Sequence, residues 1–257
     1  MARKPVKKRR TMTPFYTALA AVGVIGVVWV AWQMFSGPRG NPATQAVEVA
    51  IDPAELSRVQ GISVGRDEAP VVIYEFADFQ CPGCATFAAF TSPLIKERLV
   101  ETGMARFVYY DFPISSIHPH SFLAARGARC ANEQGKFWEY HDILYGRQST
   151  WSGMRDATDF FVELAGVVGL EEGPFETCLR SDRFQDEVSR SLQLGEMLGV
   201  GSTPTILVNM KRLEGVPEFS ELEQIVRSEM GTAPAVDSTS PASLADSTAA
   251  TTASPTP

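Results

Sequence analysis

The chain is poor in the side chains that build metal centres: it has four cysteines and three histidines in 257 residues. Cys81-Pro82-Gly83-Cys84 has no second C-x-x-C to join it, which counts against a four-thiolate zinc site. His118 and His120 follow it by about 35 residues, long for a finger of two cysteines and two histidines. Basic charge is scarce after the start. Arg3, Lys4, Lys7, Lys8, Arg9 and Arg10 supply +6 of a formal net charge of −7, leaving −7 − 6 = −13 for the rest. An acidic body argues against nucleic acid as a partner. Charge of either sign is missing from Phe15 to Phe35; as a helix this run spans about 31 Å, the thickness of a hydrocarbon core. After Val236 the only large apolar residue is Leu244. Residues 231–257 are therefore expected to be a disordered tail of Ala, Ser, Thr and Pro, unable to bury enough surface to offset their ordering entropy.

The chemistry concentrates in one stretch. Val71 to Ala77 is an apolar, β-branched run without helical period, which reads as a buried strand. It leads through Asp78-Phe79-Gln80 into Cys81-Pro82-Gly83-Cys84 and a helix-like Ala85 to Phe90. Two intervening residues let both sulfurs meet in a small ring. A cysteine at a helix N-terminus has its thiolate stabilised by free N–H groups and the helix dipole. Pro82 falls in the first helical turn, where a missing N–H costs nothing. A redox pair, a plain structural bridge and half of a metal site are the three readings of such a motif, and this context favours the first. Far downstream, Gly201-Ser202-Thr203-Pro204-Thr205 places a proline at the very start of an apolar strand, where it is tolerated and where an X-Pro bond is a candidate for the cis form.

Four segments together resemble the DsbA-like branch of the thioredoxin superfamily, in its membrane-anchored bacterial forms. They are E-F-A-D-F-Q-C-P-G-C from Glu75 to Cys84, Y-Y-D-F-P-I from Tyr109 to Ile114, Q-G-K-F-W-E-Y-H-D from Gln134 to Asp142, and G-S-T-P-T from Gly201 to Thr205. The resemblance covers Ile62 to Met230 and implies an α/β thioredoxin-like fold with a helical insertion. It implies Cys81 as the attacking thiol, Cys84 as the resolving one, and Glu75 as a buried acid that assists proton transfer. Thr203 and Pro204 would form a cis-proline loop that faces the cysteines and binds substrate backbone. It also implies a bridge between Cys130 and Cys178 within the insertion, in keeping with the expectation that two further cysteines pair in an oxidising compartment. Pro82 and Gly83 are the tuning positions. Where the family commonly carries His, Tyr or Phe before the second cysteine, Gly83 offers no donor, so the Cys81 pKa is expected below the free value of about 8.5 but above the roughly 3.5 of the most oxidising relatives.

Taken in order, the chain reads as a basic cytoplasmic end at 1–14, one transmembrane helix at 15–35, a Pro- and Gly-bearing linker at 36–60, the thioredoxin-like domain at 61–230 with a helical insertion at about 115–198, and the tail. Basic residues ahead of the apolar run set the N-terminus inside by the positive-inside rule. No A-x-A site follows closely and the run is longer than a usual signal core, so an uncleaved anchor is preferred to a cleaved signal peptide. The catalytic domain is thus expected outside the cytoplasmic membrane, in the periplasm. Within it, a helix from the C-x-x-C through Leu99 kinks near Pro93, Ala105 to Tyr110 is a strand, and Thr205–Val208 pairs with Arg212-Leu213 as a hairpin. The expected activity is dithiol–disulfide exchange with thiols of exported proteins, oxidation being favoured over reduction or isomerisation. It needs no cofactor or metal; the resemblance implies a quinone-linked membrane partner. No dimerisation module is visible before Ile62, so a monomer is expected. A non-catalytic, chaperone-like peptide binder is the alternative from another class.

Overall fold

The computed structural model describes residues 46–49, 56, 58–213 and 216–232, preceded by the isolated helical positions Gly23, Ile25, Gly26 and Trp29. The basic end, most of the expected membrane span and the tail from 233 on lie outside the described residues. Of the span, only those four positions are described, and Ile25 and Trp29 are exposed. Among the described residues no helix is long and apolar enough to cross a membrane. The chain divides into two units, 1–45 and 46–257, and the sheet, its covering helices and the C-x-x-C all belong to the second.

That unit is built on six strands: β1 Ala46–Glu48, β2 Ile62–Val64, β3 Val71–Ala77, β4 Ala105–Asp111, β5 Thr205–Val208 and β6 Lys211–Leu213, in the order β1-β6-β5-β3-β4-β2. β3 and β4 pair in parallel from Val71 opposite Ala105 to Ala77 opposite Asp111, and every other pairing is antiparallel. Parallel neighbours need a crossover, and a sheet covered on both faces needs near-continuous apolar strands; Val71, Ile73, Phe76, Phe107, Ile206 and Val208 are accordingly buried. The β5–β6 hairpin turns at Asn209, whose positive φ of 52° is one that asparagine tolerates. Its backbone N–H donates to the Val72 carbonyl at 2.7 Å and its Oδ1 accepts from the Val72 N–H at 3.0 Å, which ties the hairpin to β3.

The segment expected as linker at 36–60 is corrected here. β1 lies inside it and pairs with β6, Ala46 opposite Leu213, and Leu56 is buried against Phe76, Val108 and Tyr110. A three-residue strand has no periodicity of its own to read, and its strand character comes from the partner edge. Similarly, the helix after the C-x-x-C is interrupted rather than kinked: α1 Pro82–Phe90 stops before Thr91, α2 Ser92–Ile95 begins with Pro93 in its first turn, and Lys96–Val100 is a π-helical turn.

The insertion comprises α3 Ser121–Glu133, α4 Phe137–Gly146, α5 Gln148–Trp151, α6 Thr158–Val167, α7 Glu172–Arg180 and α8 Gln185–Met197; α9 Phe219–Thr232 closes the chain. Tyr140, Trp151, Phe161 and Phe175 fill a core of its own, continuous with Cys84 and Phe79 beside the sheet. Cys130 on α3 and Cys178 on α7 are bonded to each other, with Cα atoms 5.9 Å apart. Arg129 ties α3 to the sheet: its Nε donates to the buried Asp111 Oδ2 at 2.6 Å, and its terminal nitrogens donate to the Gln60 carbonyl.

Candidate functional site

The C-x-x-C sits where β3 ends and α1 begins. Cys81 is the residue before the helix, with extended φ and ψ of −76° and 123°, and Pro82 opens the first turn. Cys81 is half-buried and Cys84 fully buried, and neither is bonded to another cysteine. The Cys81 thiol donates to the Thr203 carbonyl at 3.3 Å, across 122 residues of sequence, and the peptide bond from Thr203 to the buried Pro204 is cis. Thus the structure brings Cys81, Cys84, Thr203 and Pro204 into one site.

The two sulfurs are held in different states. A hydrogen bond from Cys84 is the largest influence holding the Cys81 thiol down, to about 5; burial opposes it, and the Thr203 side chain and the backbone N–H groups of Cys84 and Gly83 add to it. These N–H groups are the free donors of the first helical turn, pointing at the charge they favour. Burial drives Cys84 the other way, well above the ordinary thiol range, and the hydrogen bond given to Cys81 adds to this. One sulfur is thereby a ready thiolate and the other a protonated reserve.

Gly83 lies close under the cis-proline loop. A Cβ there would lie 3.3 Å from Pro204 Cδ, 3.6 Å from the Thr203 carbonyl oxygen and 3.7 Å from Cys81 Sγ. Only the first of these is tighter than ordinary van der Waals contact, so a side chain here would press lightly on the cis-proline loop.

Glu75 lies behind Cys84 in the middle of β3, fully buried, and neither of its carboxylate oxygens has a protein hydrogen-bond partner. Burial pushes its carboxyl up to about 8, against a smaller opposing pull from Lys96. Lys96, on the π turn, sits 4.2 Å over the Trp138 ring and 3.7 Å from the Asp142 carboxylate.

Sequence reasoning missed the residues that hold the active-site loop. Asp78 is buried; its Oδ1 accepts from the Gln80 N–H at 2.7 Å, and its Oδ2 from the Ile114 N–H at 2.7 Å with His118 Nδ1 at 2.8 Å. The Asp78 N–H in turn donates to Cys84 Sγ at 3.5 Å. Gln148 Nε2 donates to the carbonyls of Phe79 and Cys81 at 2.7 and 2.9 Å, and Gln80 bridges the Ser152 carbonyl and the His120 N–H. His118 and His120 thus serve the loop, and no group of three or more metal-ligating side chains gathers among the described residues. Gln148 carries no sequence signal, since α5 is four residues long.

The chain is similar to several known proteins. Among curated relatives, a Na(+)/H(+) antiporter NhaA 3 from Salinispora tropica is 32% identical over 169 residues; the match takes in 66% of this chain but only 24% of the length of that relative. A probable disulfide bond formation protein D from Bacillus anthracis is 26% identical over 175 residues, covering 65% of this chain and 77% of its own. The crystal structure of oxidised BdbD from Bacillus subtilis superposes with a TM-score of 0.64 at 22% identity, over 73% of this chain and 99% of that one, and shows the same fold. Residues 57–228 match the family model described as thioredoxin, and the chain belongs to the thioredoxin family.

Proposed function

We propose that the chain is a thiol–disulfide oxidoreductase that forms disulfides in exported proteins. The observation that carries this is the asymmetry of the pair: Cys81 is half-exposed with its thiol held to about 5, and Cys84 is buried behind it with its thiol raised. In the bridged protein a client thiolate attacks Cys81, the Cys81–Cys84 bond breaks, and Cys84 leaves with the electron pair. A second client thiolate then attacks the mixed disulfide and expels Cys81, a good leaving group because its thiolate is stabilised. Thr203 and Pro204 hold the client backbone beside Cys81. The name of the Bacillus anthracis relative supports the same activity.

In this reading residues 15–35 anchor the chain in the cytoplasmic membrane, with the domain outside and monomeric, and a quinone-linked membrane protein returns the pair to its bridged form. The apolar run and the helical, exposed Ile25 and Trp29 support the anchor.

The test uses the full chain in detergent micelles. It should catalyse the reduction of insulin by dithiothreitol, and in its bridged form should oxidise a two-cysteine peptide in stoichiometric yield. Insulin reduction without peptide oxidation would replace the oxidase by a reductase. Absence of both would leave a peptide-binding module.

A further inference from the structure

Cys84 and Glu75 are both buried, so the exchange chemistry needs a way for protons to come and go. Glu75 stands opposite Tyr109 across the β3–β4 pair, and the hydroxyls of Tyr109 and Tyr145 are 3.3 Å apart. Phe79 packs against both rings, at 5.4 and 4.9 Å between centroids, and fixes them side by side. Tyr145 in turn lines a cavity of about 280 Å³ between α1 and α4, whose other walls are Ala85, Ala88, Ala89, Gly146 and Asp142. Small side chains on α1 leave this space open, and at about 30 Å³ per molecule of liquid water it has room for several. The exposed Asp142 carboxylate marks its outer end.

We propose that this cavity and the Tyr145–Tyr109 hydroxyl pair form the route by which protons pass between solvent and Glu75 while Cys84 reacts. The proposal rests on the oxidoreductase reading above and extends it to two tyrosines and a cavity. When a client thiolate attacks Cys81, the bond from client sulfur to Cys81 forms and the Cys81–Cys84 bond breaks. The electron pair goes to Cys84 sulfur, which takes the Glu75 proton, and Glu75 is left ionised. In reverse, Cys84 attacks the mixed disulfide, its proton goes to the Glu75 carboxylate, and the client leaves as a thiolate. Near neutral pH Glu75 holds a proton of its own, so before this reverse step that proton has to leave. The hydroxyl pair hands it on, each oxygen accepting one proton while releasing another toward the cavity water. Of the charged and titratable groups, Lys96 from the π turn acts on Glu75, and Glu75 acts on Cys84 from α1, Tyr109 from β4 and Tyr145 from α4; His141, also from α4, packs against both tyrosine rings and pairs with Asp142. Tyr145 and Tyr109 both lie close enough to feel the charges of Glu75 and Cys84.

Tyr109 and Tyr145 act here as positioning residues for a proton, and phenylalanine keeps each ring while removing the hydroxyl. The full chain in micelles, reduced, is mixed with glutathione disulfide in a rapid-quench instrument, and conversion of the Cys81–glutathione mixed disulfide to the Cys81–Cys84 bridge is timed. Tyr145→Phe and Tyr109→Phe should each slow this step about tenfold, less than the roughly hundredfold or more that a direct acid–base group contributes, and should raise its solvent isotope effect. Ala88→Leu, which fills the cavity and keeps both hydroxyls, should do the same. The equilibrium with glutathione and the thiolate titration of Cys81 should stay where they are, because a route changes rates and not end states. Wild-type rates and isotope effects in all three variants would overturn the route, as would a slowing matched by a shifted equilibrium, which would mark a structural role. If the wild-type protein forms no mixed disulfide at all, the oxidoreductase reading itself falls.

Discussion

Replacing Glu75 by glutamine should stabilise the protein, and by an amount that depends on pH. A carboxyl whose folded pKa is raised binds its proton more tightly in the folded state than in the unfolded one, so stability falls as pH rises between the two values. Here the window runs from the ordinary 4.5 to about 8. Each pH unit inside it costs about 1.4 kcal/mol, which reaches about 3 kcal/mol at pH 7 and about 5 kcal/mol above pH 8. Glutamine has nearly the same shape and no charge, and its amide replaces a neutral carboxyl whose oxygens already lack protein partners. The difference between variant and wild type should therefore be near zero at pH 4 and grow to about 3 kcal/mol at pH 7, a midpoint shift of about 1.5 M urea for a slope of about 2 kcal/mol per molar. The bridged form is the one to unfold, because neither Cys81 nor Cys84 then titrates, and the raised Asp111 carboxyl cancels between the two proteins. A difference independent of pH, or unfolding curves that coincide at pH 7, would refute the account of Glu75 as a buried acid kept neutral by desolvation.

Further outcomes follow from the same geometry. Cys84→Ser should accumulate mixed disulfides with client proteins on non-reducing gels while Cys81→Ser accumulates none; equal trapping would reverse the assigned roles. Replacing Cys130 and Cys178 together by alanine should lower stability by up to about 4 kcal/mol, the chain-entropy value for a loop of this length, with exchange rates unchanged; a large fall in rate with the fold intact would make that pair an electron relay. Gly83→His should lower the Cys81 pKa below about 5 and make the bridge more oxidising, since an imidazolium would stand beside the thiolate. Thiolate absorbance against pH and equilibration with glutathione read these effects, and an unmoved potential would refute them. Gln148→Ala should loosen the loop through loss of two hydrogen bonds to buried carbonyls, about 1 to 3 kcal/mol for each group left unpaired, measured by urea unfolding.

Covalent spacing made part of this site readable in advance. Strand, loop, C-x-x-C and helix are contiguous, so β3 and α1 follow from local pattern, and α3 at Ser121–Glu133 follows from its helical period. Thr203-Pro204 was legible because proline before an apolar strand is a local signal. The unread parts are those whose meaning lies in a distant neighbour. Asp78 and His118 stand 40 residues apart, and Gln148 is 67 residues from the carbonyl of Cys81 that it holds. Pattern alone puts Glu75 in a strand, but its protonation state comes from what closes over it. Gly83 reads from the sequence as a missing donor. In the folded chain a side chain there would meet Pro204, which no spacing along the chain reveals.

The pairing of β5 beside β3 has a consequence for the order in which a growing chain acquires reactivity. Cys81 leaves the ribosome more than a hundred residues before the Thr203 carbonyl that faces it, and β3 lacks its neighbour on that side until Thr205 to Val208 has emerged and paired. A growing chain therefore carries its two cysteines without the facing Thr203 carbonyl until nearly all of the domain has been made. The site is completed late, when the β5–β6 hairpin pairs with β3 and the Thr203-Pro204 loop comes to face Cys81. The topology thereby makes the site one of the last parts of the domain to be completed.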